Sequence, residues 1–285
     1  MDRLSGYECW INAVVLLRGS SPSAQPMRHS KILAKIRAGK VARVCSTGIP
    51  AIYMPQMAAQ FGYDGVWVDA EHRAWDARDA REMILRHHQA DIDCVWRPST
   101  LEKTGLSRLL EDGATALMIP QLNTAERARQ LVEAVKFPPL GERGLDGSGL
   151  DAGFWVKRAP DYPQHANRET ALIVQIETPL GVENTEEIAA VDGVDIVFMG
   201  PGDLSLRLGC QPSLQDTVLR AALERMASAC RSRRKPWGFP AGSIEDAKVL
   251  IDMGAQFINF GSEFFGIFKH LESCAAQWTE AFGGI

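Results

Sequence analysis

The sequence predicts an α/β fold, a (β/α)8 TIM barrel, on three observations. Eight short runs rich in β-branched and apolar residues recur from residue 42 onward, and helix-length amphipathic stretches separate them. No glycine-rich GxGxxG turn follows the first run, which counts against an open doubly wound sheet, the competing architecture. The chain has 285 residues, 46% of them hydrophobic, enough for one barrel or two ordinary domains with a sizeable core.

The elements follow in order. WINAVVLL (10–17) is too short to span a membrane and follows a single cation, Arg3; a signal peptide stays open as an alternative. With the small, polar RGSSPSAQPM behind it, residues 1–27 read as a poorly ordered extension and Met27 as an alternative start, leaving 28–285 as a single barrel domain. The strands are ARVCS (42–46), GVWVD (65–69), DCVWR (93–97), ALMIP (116–120), LIVQIE (172–177), DIVFMG (195–200), PWGFP (236–240) and FINFG (257–261). Thr124 caps a helix whose Ala125, Ala128, Leu131, Val132 and Val135 recur at three- and four-residue spacing. Ser243 caps another, with Asp246 three residues on and Gly254 at its far end. The basic cluster RSRRK (231–235) reads as a helix end, where cations complement the dipole. Residues 138–170 break the alternation and read as a long loop, either a lid or binding loop or a surface excursion without a role.

A net charge of -4 and a pI near 5.9 argue against nucleic acid as a partner, and no run is apolar for long enough to make a membrane one. The six cysteines, at 9, 45, 94, 210, 230 and 274, lack CxxC or zinc-like spacing, so reduced thiols in the cytoplasm are expected.

Chemistry on such a barrel sits at the C-terminal ends of the strands, and polar residues collect there. The second strand ends in Asp69, with Glu71 and His72 just beyond. The third ends at Arg97, the fifth at Gln175 and Glu177, and the sixth runs into Asp203, whereas the other four end in Ser46, Pro120, Pro240 and Gly261. Any one of these alone reads equally well as a structural ion pair. Glu177 with Asp203 says more, because two carboxylates at strand tips repel unless a cation or proton lies between them, and oxygen donors suit a hard divalent metal. No lysine ends a strand, which disfavours a Schiff base.

The motifs VDAEH (68–72), WRP (96–98), GERG (141–144), QIET (175–178) and GPGDLS (200–205), in this order, resemble the HpcH/HpaI aldolase family over roughly residues 30–270. The resemblance implies a barrel of the phosphoenolpyruvate/pyruvate-binding type and a class II pyruvate aldolase, a lyase dependent on magnesium or manganese, with cobalt as a third choice. Its reaction would be reversible cleavage of a 4-hydroxy-2-oxo acid, of the 2-keto-3-deoxy sugar acid or 4-hydroxy-2-oxo-dioate type, into pyruvate and an aldehyde. By position, Glu177 and Asp203 would bind the metal, Arg97 and Gln175 would contact pyruvate, and backbone amides near Gly202 and Asp203 would hold its carboxylate. His72 and Asp69 would form an acid/base pair with Asp69 orienting the imidazole, Glu71 would order water, and Ser148 would line the pocket. The resemblance further implies a homohexamer with the helices of about 263–282 exchanged; Phe264, Phe265, Ile267, Phe268 and Leu271 give that segment more apolar surface than a solvent-facing helix needs, although packing on its own barrel is the alternative. STGIPAIYMPQMAAQFGYDG (46–65) and LDGSGLDAG (145–153) depart from the family pattern, so the aldehyde half stays open. An oxaloacetate decarboxylase, a bond-forming enzyme like macrophomate synthase, and a non-catalytic barrel that binds a 2-oxo acid remain as alternatives.

Overall fold

Eight parallel strands close into one barrel in sequence order in the computed structural model, which describes residues 28–156 and 161–283. The strands are β1 Ala42–Thr47, β2 Gly65–Asp69, β3 Asp93–Arg97, β4 Ala116–Ile119, β5 Ala171–Ile176, β6 Ile196–Met199, β7 Trp237–Pro240 and β8 Phe257–Ser262. Each lies within a residue or two of its expected place. Residues 1–27, with the poorly ordered extension and the alternative start at Met27 expected there, lie outside the described residues.

Alternation along the strands divides the core in two. One set of side chains, including Val44, Val95, Met118, Ile173, Phe198 and Phe257, fills the barrel interior. The other set packs outward against helices, with Leu117, Leu172 and Val197 among them. The bottom of the barrel is plugged by α1 (Lys31–Arg37), whose Ile32 is buried. Gly65 is required there, because a Cβ at that position would lie 2.7 Å from the Ile32 Cδ1. The plug is pinned by Asp93, which accepts from the Arg28 guanidinium, the Ser30 hydroxyl at 2.6 Å and the Ile32 N–H.

The outer helices are α2 (Met54–Gln60), α3 (Ala77–Gln89), α4 (Lys103–Glu111), α5 (Ala125–Val135), α6 (Tyr162–Glu169), α7 (Pro179–Glu183), α8 (Thr185–Ala189), α9 (Pro201–Leu208), α10 (Thr217–Ser232), α11 (Ile244–Asp252) and α12 (Glu263–Phe282). Thr124 and Ser243 cap α5 and α11 as expected, accepting from the Arg127 and Asp246 N–H groups. The basic cluster does end a helix, α10.

The long loop expected over 138–170 is corrected in part, since α6 occupies its end. The helical period was present in Tyr162, His165, Ala166 and Glu169, all buried, but two of these are polar and become tolerable inside only through distant partners. His165 Nε2 meets the Arg28 carbonyl and Glu169 accepts from the Ser30 N–H. Arg143 of GERG also turns inward, pairing with Asp151 at 2.6 Å and stacking over Phe137. Residues 157–160 lie outside the described residues.

Among the described residues no helix is long and apolar enough to cross a membrane, and Cys45, Cys94, Cys210, Cys230 and Cys274 are free thiols.

Candidate active site at the strand mouth

Closure of the barrel brings Asp69, Arg97, Gln175, Glu177 and the start of α9 to one rim. β2 and β3 pair in register Asp69↔Arg97, so these two leave adjacent strand ends side by side. The Arg97 Nε donates to the Asp69 Oδ1 at 2.9 Å and its Nη2 lies 2.8 Å from Oδ2, a two-pronged pair. Its Nη1 lies 3.1 Å from the Glu71 Oε2, off hydrogen-bonding geometry, and 3.5 Å from the Gln175 Oε1. The guanidinium stacks over Trp67, 4.8 Å from its ring centre. Arg97 and Gln175 are buried, so this cation is held in one position before any ligand arrives. Burial alone would raise the Asp69 carboxyl, but the Arg97 bonds and charge and the His72 N–H outweigh it and hold the group below its ordinary range.

Glu177 is 5% exposed, beneath the N-terminus of α9. Its Oε2 accepts the Gln121 backbone N–H at 3.0 Å, and Gly200 is packed so tightly on it that an added Cβ would lie 2.3 Å from Oε1. Burial pushes the Glu177 carboxyl up to about 7; the Gln121 N–H and Arg97 oppose the rise, and the Glu71 and Asp203 charges add to it. Asp203, in the first turn of α9, is partly exposed and pairs with Arg207 at 3.0 Å. The Gly202 and Asp203 N–H groups belong to that first turn, where the helix provides no acceptors, and face the region an anion favours.

The donor set fits a hard divalent ion. Three carboxylates, Glu71, Glu177 and Asp203, lie within electrostatic reach of one another, and all the side-chain donors are oxygen. Among the described residues no group of three or more His, Cys, Asp or Glu is arranged as a complete cage. Two protein ligands would leave the remaining positions to water and substrate, the open arrangement that oxygen-ligated catalytic ions use.

Two expected placements are corrected. The Asp69 oxygens meet Arg97 and the backbone N–H groups of Glu71 (3.1 Å) and His72 (3.3 Å), whereas the His72 Nε2 lies 3.7 Å from the Glu71 Oε2. Asp69 thus positions His72 through its main chain, because Arg97 already occupies the carboxylate that the imidazole would need. Ser148 is bonded to Asp146 and lines a groove of about 810 Å³ with Arg78, Arg81 and Arg108 on the outer faces of α3 and α4. That groove contains none of the strand-tip residues, so Ser148 does not join the rim within this protomer. The loop is held out there because the Leu150 N–H bonds to the Glu111 carbonyl.

Three contributors escaped the sequence reading. Gln121 has φ 53, the left-handed region, and this aims its N–H at Glu177; only its place after Pro120 at a strand end marked it. Arg207 bridges Asp203 and the Glu177 carbonyl, and its i+4 position from Asp203 on one helix was a usable signal. Gly200 matters by lacking a side chain. Two clefts flank the acids: one of about 260 Å³, lined by Glu71, Pro98 and Gln121, and one of about 550 Å³ over β7, β8 and β1.

Fold and rim together define a (β/α)8 barrel with its polar machinery concentrated at the C-terminal mouth, the place where barrel enzymes do their chemistry. The profile of the HpcH/HpaI aldolase/citrate lyase family matches residues 50–268, and the chain belongs to that family. It is 37% identical over 218 residues to the hydroxypyruvate/pyruvate aldolase of Delftia acidovorans, covering 75% of this chain and 79% of that one. With the 2-keto-3-deoxy-L-rhamnonate aldolase of Salmonella paratyphi B it shares 33% identity over 226 residues, 79% of this chain and 84% of that one. The crystal structure of an HpcH/HpaI aldolase from Desulfitobacterium hafniense superposes with a TM-score of 0.81 at 28% identity, covering 87% of this chain and 96% of the other.

Proposed function

We propose that this enzyme is a divalent-cation-dependent pyruvate aldolase that reversibly cleaves a 4-hydroxy-2-oxo acid into pyruvate and an aldehyde. The observation that carries the reading is the buried Glu177 carboxylate, with Asp203 beside it and the fixed Arg97 guanidinium within electrostatic reach. A divalent cation held by Glu177 and Asp203, magnesium or manganese for an all-oxygen donor set, would supply Lewis-acid charge to the 2-oxo acid. The chain's own groups do the rest. The α9 N-terminus, through the Gly202 and Asp203 N–H groups, receives the substrate carboxylate. Arg97 meets the keto oxygen as negative charge grows on it during cleavage. Gln175 keeps Arg97 aimed. His72, more than half exposed at the mouth, takes the proton of the C4 hydroxyl. The C3–C4 bond then breaks, its electron pair passes into the pyruvate enolate, the aldehyde leaves, and a proton returns to C3. Glu71, the carboxylate nearest the imidazole, orders water beside it.

The test is aldol addition of pyruvate to glycolaldehyde with manganese or magnesium, with and without a chelator. Product should form only with the cation, and His72→Ala should keep cation affinity while losing about 10²–10⁴ in rate. Turnover that survives the chelator overturns the mechanism, and an active His72→Ala enzyme removes His72 from it.

The assembly is part of the proposal. No residue of α12 is buried, and Phe264, Phe265, Ile267, Phe268, Leu271 and Trp278 are exposed along it. A second copy of the chain covering this helix would remove that apolar surface from water, at about 25 cal/mol per Å². The solution mass is expected to be a multiple of 31.3 kDa, six copies being what the family resemblance implies; a 31.3 kDa particle rules this out.

A further inference from the structure

The acids and Arg97 account for the pyruvate half of the rim and leave the other side of the mouth without a role. There, the cavity of about 550 Å³ opens over the ends of β7, β8 and β1, and Pro201, the first residue of α9, forms part of its wall. Gly200, one residue earlier, is the glycine packed on Glu177. The cavity therefore adjoins the acid cluster.

Asn259 lines this cavity from β8, in register with Val44 of β1 and Pro240 of β7. It is 9% exposed, and its Oδ1 is fully buried with no hydrogen-bond partner. A buried amide oxygen left unpaired costs free energy that folding alone does not recover, so in a working site something else completes it. The rest of the wall narrows the choice. Phe239, Phe260 and Leu214 make it largely apolar, Ser46 adds a hydroxyl, and among the described residues lining it the only charged one is Asp246, an acid. A carboxylate-bearing electrophile would meet no counter-ion and one like charge. A neutral aldehyde carrying a hydroxyl beside its carbonyl meets apolar walls for its carbon and the Asn259 amide for its oxygen. Because a hydroxyl both donates and accepts, it satisfies the amide in either orientation of the side chain.

We propose that this cavity seats the aldehyde half of the substrate and that Asn259 selects a neutral, hydroxylated aldehyde over apolar and anionic ones. The proposal rests on the pyruvate-aldolase reading and deepens it. A site built to bond a hydroxyl rejects an analogue that lacks it more strongly than apolar contacts alone discriminate.

The experiment compares kcat/KM for addition of pyruvate to glycolaldehyde, to propionaldehyde, which replaces the hydroxyl by a methyl group, and to the anionic succinic semialdehyde. In the wild type glycolaldehyde should be the best of the three. In Asn259→Leu the glycolaldehyde to propionaldehyde ratio should fall at least tenfold, because the amide that recognised the hydroxyl is gone. Asn259→Ala is read the same way if the leucine variant does not fold. A ratio unchanged in both variants, or succinic semialdehyde as the best wild-type substrate, overturns the assignment while leaving the aldolase reading standing. A wild-type enzyme that adds pyruvate to none of the three takes down both.

Discussion

Glu177→Gln is expected to abolish measurable aldol cleavage, lowering kcat by about a thousandfold and weakening manganese or magnesium binding at least as far. The magnitude follows from the several kcal/mol of charge stabilisation that a catalytic ion contributes, about 4 kcal/mol being a factor of a thousand. Glutamine keeps an oxygen for the Gln121 N–H and nearly the same volume, so the pocket under Gly200 is not disturbed. Stability should move the other way. The folded-state Glu177 carboxyl lies near 7, above its ordinary 4.5, so in metal-free protein the native state holds a proton that the unfolded chain has released between these values. That contribution to stability falls as pH rises from 4.5 through 7. Metal-free Glu177→Gln lacks this loss and should melt at or above the wild type at pH 7.5. Calorimetric titration with manganese, kinetics and thermal melts separate the effects. Unchanged cation affinity with full activity would remove Glu177 from the metal site, whereas a variant that simply melts lower would make it a structural residue.

Arg97→Ala should be the second most damaging change, costing about 10²–10³ in kcat/KM through the lost charge at the keto oxygen. It should also destabilise the fold. Asp69 and Glu71 would both lose their cation at the rim, and Trp67 the group stacked on it. A broken buried pair costs about 3–5 kcal/mol; Asp69 and Glu71 keep some solvent contact, so about 2–3 kcal/mol is the expectation here. Arg97→Lys sorts the two roles. A single ammonium can pair with Asp69 but cannot fork onto it while also reaching a substrate oxygen, so stability should recover in large part and rate should not. An Arg97→Lys enzyme with wild-type kcat/KM would show that any cation suffices and that the forked geometry is irrelevant.

Much of the site was legible because strand ends are legible. An apolar run that stops at a charged residue, as GVWVD, DCVWR and ALIVQIE do, marks the place where the chain leaves the barrel, and the ends of all eight apolar runs together locate the mouth. Asn259 was hidden by the same logic, since it lies within FINFG, two residues before the glycine that ends the run. Gln121 gave no signal of its own, because its part is played by a backbone N–H. Motif order alone points Ser148 to the rim, and order along the chain does not say on which side of α3 and α4 a loop is tied down.

By itself the sequence determined the barrel, the limits of its strands, the capped helices α5 and α11, and the identity of the acids, the arginine and the histidine at the mouth. These depend on local periodicity and on side chains that terminate apolar runs, which neighbouring residues specify. Only the tertiary structure decided that Asp69 is committed to Arg97, that His72 faces Glu71, that Arg143 is an internal brace, and that Asn259 lines the cleft over β7, β8 and β1. The physical reason is that a polar side chain takes the partner nearest in space. In a closed parallel barrel that partner comes from another strand or loop, and its position is set only when the register closes.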